Sequence, residues 1–119
     1  MLLNRAQELV EKRIRPMTLD QVKKAIELAA RECIRNGLTS VHEAKVSAIM
    51  IQAFRELIHE GRLPLRIYAM LDGDDQALVT QWLERGPEID PHHQLTIRSF
   101  KLFDRWSTGF ARRSAASAL

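Results

Sequence analysis

The 119-residue chain is 45% hydrophobic and 28% charged, with a net charge of +3, the balance of one ordinary domain with a modest core. Its apolar runs fall well short of the roughly 18 residues that suggest a membrane span, and no basic-then-apolar leader opens it, so the cytoplasm is the expected address. One cysteine, Cys33, excludes an internal disulfide,.

The stretch from Leu3 to Arg15 has the spacing of an amphipathic helix, broken before Pro16. Thr18-Leu-Asp-Gln21 has the form of a capping box and starts the next helix. After it Val22, Ala25, Ile26, Ala29, Ala30, Cys33 and Ile34 recur at three- and four-residue spacings. They form one buried stripe, with Cys33 as an inert core thiol. Asn36-Gly37 supplies the left-handed stop. Leu38-Thr-Ser-Val-His42, short and β-branched, reads as a strand over about 38–43.

The pattern repeats. Val46, Ile49, Met50, Ala53, Phe54, Leu57 and Ile58 make a second helical stripe closed by Gly61. Leu65-Arg-Ile-Tyr-Ala-Met-Leu71 is nearly continuously apolar, as in a parallel strand covered on both faces. Asp72-Gly-Asp-Asp75 makes a turn and offers a cap for a third helix carrying Ala77, Leu78 and Trp82, stopped by Gly86-Pro87. A third strand is expected over 95–103. Three helix-to-strand steps with short connections predict an α/β fold with parallel strands and ligand chemistry at the C-terminal strand ends. Periodicity alone leaves open sheet and closed barrel as alternatives.

Chemistry-bearing residues are few. His42 and Glu43 stand at the C-terminal end of the first strand, where a structural or supporting role is favoured over a catalytic one. His59 lies in the last turn of a helix, where a cation suits the dipole. His92 and His93 are adjacent in a loop and point apart, which makes them surface residues rather than joint metal ligands. Tyr68 and Trp82 read as packing residues. By strict alternation Lys101 shares a strand face with Ile97, Ser99 and Phe103. A lysine in such company either snorkels to solvent or is paired or modified. No Gly-rich phosphate loop, His-x-His, paired-cysteine motif or nucleophile elbow is present.

From Asp104 the patterning stops. Arg105, Arg112 and Arg113 against Asp104 carry a surplus of two of the three net positive charges. The pI of 9.4 therefore owes most to this tail. In the body, bases alternate with acids, as in Glu8-Leu-Val-Glu11-Lys12-Arg13, which marks solvated helix faces rather than a phosphate-binding stripe.

Three segments carry a family resemblance. Gly37-Leu-Thr-Ser-Val-His-Glu43 resembles the glycine, apolar, threonine, threonine-or-serine, valine strand of amidohydrolases. Gly61-Arg-Leu-Pro-Leu-Arg-Ile-Tyr68 is similar to a run in the branch that includes N-substituted formamide deformylases (amidohydrolase family 3). Ser99-Phe-Lys-Leu-Phe103 resembles the fourth barrel strand, which carries a lysine in hydantoinases and dihydroorotases. The three occur in the family's order and spacing, over residues 1–103.

The resemblance implies an incomplete slice of a (β/α)8 TIM barrel, about three βα units. It implies hydrolysis of non-peptide C–N bonds in small amide, formamide or cyclic amide substrates, with a divalent metal such as zinc activating water. Lys101 then falls on the lysine whose carbamate bridges two metals. The family's His-x-His is expected upstream of Met1, and its later histidines and aspartate beyond Leu119, so the chain alone is expected to hold no metal and to be inactive.

The resemblance also implies that Asp-Gly-Ala-Leu-Gly-Ser-Arg-Gly-Ala-Ala-Leu-Leu follows the fourth strand. Back-translated with permitted codons and read one nucleotide later, Arg105 to Ala116 yields that run, including Gly from the single codon of Trp106. Residues 104–119 are therefore expected to be an irregular basic tail read out of frame. The alternatives are a small α/β interaction or nucleic-acid-binding module using that tail, which a frame accident disfavours, and a fragment that self-associates through open sheet edges.

Overall fold

The computed structural model describes residues 12–102. Every helix and strand described lies in the unit Thr18–Leu102. Residues 12–17, from the other unit, form a turn and a bend followed by irregular chain, all exposed. The remainder of the proposed first helix, Phe103 and the tail lie outside the described residues.

In chain order the elements are α1 (Leu19–Arg35), β1 (Ser40–Val46), α2 (Ala48–His59), β2 (Arg66–Asp72), α3 (Gln76–Arg85), β3 (Glu88–Ile89) and β4 (Leu95–Lys101). The sheet order is β1-β2-β4-β3. β1 with β2 and β2 with β4 are parallel, as three helix-to-strand steps require,. The fold is α/β with a parallel-rich sheet, consistent with a slice of a TIM barrel,. The two-residue β3, antiparallel to β4, is too short to leave a periodic signal. No helix of the described residues is long and apolar enough to cross a membrane.

Local chemistry sets the boundaries. The Thr18 hydroxyl accepts from the Gln21 amide at 3.3 Å, while the Gln21 side chain accepts from the Thr18 amide at 2.9 Å, completing the capping box,. At the other end of α1 the Gly37 amide donates to the Ile34 carbonyl and the Leu38 amide to the Cys33 carbonyl, with Gly37 at φ +79°. This is a Schellman closure. It ties Leu38 back to the helix, which is why β1 starts at Ser40 rather than 38. The same closure at Gly61 (φ +70°) ends α2. Asp75 caps α3 by accepting from the Leu78 amide at 3.1 Å,.

The core joins the three helices to one face of the sheet. Ile67, Ala69 and Leu71 of β2 and Leu95 and Ile97 of β4 pack with Ile51, Phe54, Leu57, Leu78 and Trp82. Each large aliphatic residue buried there contributes roughly 1.5–3 kcal/mol. Cys33 is half-buried against this cluster, as expected of a packing thiol. Ala25, Ala29 and Ile34, expected on the buried stripe of α1, are exposed. The apolar arc of α1 that packs runs through Val22, Ile26, Ala30 and Cys33, because α1 packs mainly on α2. Val46, expected on the second helical stripe, is instead the fully buried last residue of β1. β2 is not covered equally on both faces: Tyr68, Met70 and Asp72, which alternate with its buried residues, are only partly buried.

Candidate functional site

Parallel α/β sheets present their chemistry where strands end and helices begin. At that end three sequence-selected residues fall on different footings. His42 pairs in register with Tyr68, and Tyr68 with Thr96, which puts all three on the partly buried face. The His42 and Tyr68 rings lie 4.9 Å apart, tilted by 36°. Tyr68 packs, as expected, but against the exposed His42 ring rather than in the core. Glu43 pairs with Ala69 and so projects from the face opposite to His42, and both side chains are exposed at this edge strand. The structure does not bring His42 and Glu43 together. His92 and His93 are exposed loop residues, and His59 is exposed in the last turn of α2.

Lys101 stands at the end of β4, partly buried, with Asp72 of β2 as its register partner. Its company differs from the strict alternation expected. A register break between Ala69 and Met70 leaves Ile97 opposite Ala69 and Ser99 opposite Met70. Successive residues of β2 face opposite ways, so Ile97 and Ser99 do too. The extra residue, Arg98, turns Ser99 and Lys101 to the partly buried face and Phe100 to the core with Ile97. The Ser99 hydroxyl is buried without a hydrogen-bond partner among the described residues.

The loop after β2 is pressed against this end of β4. The Gly73 amide donates to the Lys101 carbonyl at 3.0 Å. A Cβ at Gly73 would come within 2.8 Å of that same oxygen, so the position requires glycine,. The Asp72 carboxylate accepts from the Asp74 amide at 3.0 Å. Asp74 in turn pairs with Lys45 of β1, Nζ to Oδ2 3.5 Å. Lys45 has φ +61° and lies in a second register break, between Glu43 and Val46. The sequence marks Asp72 and Asp74 only as turn residues and does not mark Lys45, since a lysine between Ala44 and Val46 carries no pattern that announces a left-handed backbone.

The strong electrostatics sit elsewhere. Around the α2–β2 connection, at the N-terminal strand ends, Lys23 Nζ contacts Glu56 at 3.1 Å and Glu60 at 2.6 Å. Arg62 grips both Glu27 carboxylate oxygens at 2.7 Å and Glu60 at 2.7 Å. The hydrogen bonds that Lys23 donates to Glu60 and then to Glu56 raise its pKa, while those that Glu60 accepts from Lys23 and then from Arg62 lower its own. A shallow cleft lined by Lys23, Glu27 and Arg62 lies at this end rather than at the strand C-termini.

Among the described residues no group of three or more His, Cys, Asp or Glu side chains converges as metal ligands. Lys101 and Asp72 are two potential donors, short of the set a divalent ion requires. These residues by themselves do not fit a metal.

The family model described as the amidohydrolase family matches residues 1–118. No curated protein and no solved structure matches the chain. With the match spanning all but the last residue, the chain belongs to the amidohydrolase family.

Proposed function

We propose that these residues form part of the barrel of an amidohydrolase acting on non-peptide C–N bonds, in the branch resembling N-substituted formamide deformylases. Amidohydrolases are generally metal-dependent and act on small molecules. The observation that carries the reading is the position of Lys101. It ends the third parallel strand, on the partly buried face, at the end of the sheet where barrel enzymes work,. As a carbamate, Lys101 would be an anionic oxygen donor to a divalent ion, zinc by preference. His42, stacked on Tyr68, would support that face, and Glu43 has a structural role on the other.

The same reading makes the 119 residues inactive by themselves, because water activation needs several converging ligands and, among the described residues, one lysine with one aspartate is too few,. Zinc competition against a chromogenic chelator tests this. The expected result is no zinc withdrawn from the chelator, and uptake abolished by Lys101→Ala would overturn it. A cytoplasmic location, an amide-type substrate for the complete enzyme and self-association through sheet edges belong to the same proposal. Among the described residues β1 has no strand on its outer side, and β3 covers only Thr96 and Ile97 of β4,.

For residues 104–119 the proposal remains a tail read out of frame, which makes its basicity accidental and disfavours a nucleic-acid partner. The family match extends through residue 118, as an in-frame tail would give, so the coding DNA decides. The expected next frame after Phe103 reads Asp-Gly-Ala-Leu-Gly-Ser-Arg or a near variant, and any other reading ends the idea.

A further inference from the structure

Two non-glycine residues among those described have positive φ, and they differ in setting. His93 lies in an exposed loop. Lys45 lies within a strand, at φ +61°, inside the break that carries β1 from Glu43 to Val46. Left-handed backbone is unfavourable for a residue with a Cβ, and where it persists the surroundings must hold it. What the conformation achieves here is visible in the contacts. The ammonium of Lys45 reaches Asp74 at 3.5 Å. Asp74 is bound through its amide to the Asp72 carboxylate, Asp72 is the register partner of Lys101, and the intervening Gly73 amide holds the Lys101 carbonyl. These contacts run without interruption from β1 across β2 to β4.

We propose that Lys45 is a positioning residue of the strand-end site, an ionic strap from β1 that holds residues 72–75 and, through them, the end of β4 that carries Lys101. It rests on the proposed function only in calling the strand ends a site. The strap ties β1 to the loop after β2 by a side chain, where the register break between Glu43 and Val46 interrupts the backbone pairing of the two strands. Asp75 caps α3 from the same short loop, so the strap also bears on the start of that helix.

Lys45→Gly removes the ammonium and suits the backbone, Lys45→Arg keeps the cation, and Asp74→Asn removes the partner without touching β1. Amide hydrogen exchange at Gly73 and Asp74 is measured in each, together with thermal melting. The glycine and asparagine variants are expected to exchange about two- to fivefold faster at both amides, the range an exposed ion pair supports. Lys45→Arg should stay near the parent, and the glycine variant should melt higher despite its looser loop. Unchanged exchange in Lys45→Gly, or equal acceleration in Lys45→Arg, would overturn the strap. Neither outcome depends on metal or substrate, so failure here leaves the hydrolase reading standing.

Discussion

The two ends of this sheet are built on different terms. At the N-terminal strand ends α1 and α2 close on left-handed glycines by Schellman bonds, one left-handed non-glycine residue, His93, sits in the exposed loop before β4, and Lys23, Glu60, Arg62 and Glu27 satisfy one another. At the C-terminal ends a lysine takes the left-handed backbone, both parallel pairings break register, and the Ser99 hydroxyl is buried unbonded among the described residues. The second end carries more of the exceptions, including the left-handed lysine that lies within a strand rather than in a loop. Such exceptions concentrate where a fold does its chemistry, which agrees with the side on which barrel enzymes work.

Substitutions at the two ends test the contrast. The largest effect belongs to the shared core: Leu57, fully buried, should lose about 3 kcal/mol as Leu57→Ala in denaturant unfolding, through lost transfer energy and a cavity. The next pair sets the two ends against each other. Gly61→Ala places a Cβ at φ +70° and should destabilise by about 1 kcal/mol, whereas Lys45→Gly should stabilise by a similar amount. If both changed stability in the same direction, the contrast would be lost.

A pH profile examines the N-terminal end alone. Glu60 has a lowered folded pKa, so its contribution is present above the ordinary glutamate range and lost as pH falls through the depressed value,. Lys23 has a raised one, so its contribution holds below the ordinary lysine value and is lost as pH rises through the raised value,. Melting temperature should therefore drop on the acid side, and Glu60→Gln should flatten that drop. An unaltered acid limb in Glu60→Gln would remove the network from the account. The smallest effect is expected at Ser99→Ala, neutral or stabilising by up to about 1 kcal/mol, because a buried hydroxyl without a partner is removed. A clear loss would mean that the hydroxyl is bonded in solution.

Much of the fold was legible in the sequence because its determinants are local. Thr18 and Gln21, Gly37 and Gly61, Asp75 and Gly86 mark helix ends by their own chemistry, and Val22, Ile26 and Ala30 or Leu78 and Trp82 mark faces by spacing. What was not legible depends on partners distant in sequence. Arg98 becomes the extra residue of a register break only because Ala69 and Met70 pair around it, and that moved Lys101 off the face of Ile97. Glu43 and His42 part company through pairing with Ala69 and Tyr68. In the site, a lysine near a strand end drew attention to Lys101 by its neighbours. Lys45 had no such neighbours, and its conformation belongs to the break rather than to its residue type.

On the proposed function, Lys101 is the amidohydrolase lysine at the end of its strand, and the chain by itself does not hydrolyse. The most direct measurement is hydrolysis of simple amide, hydantoin and N-formyl substrates by the purified chain supplied with zinc. No turnover above a metal blank is expected. Metal-dependent turnover that Lys101→Ala abolishes would contradict that expectation.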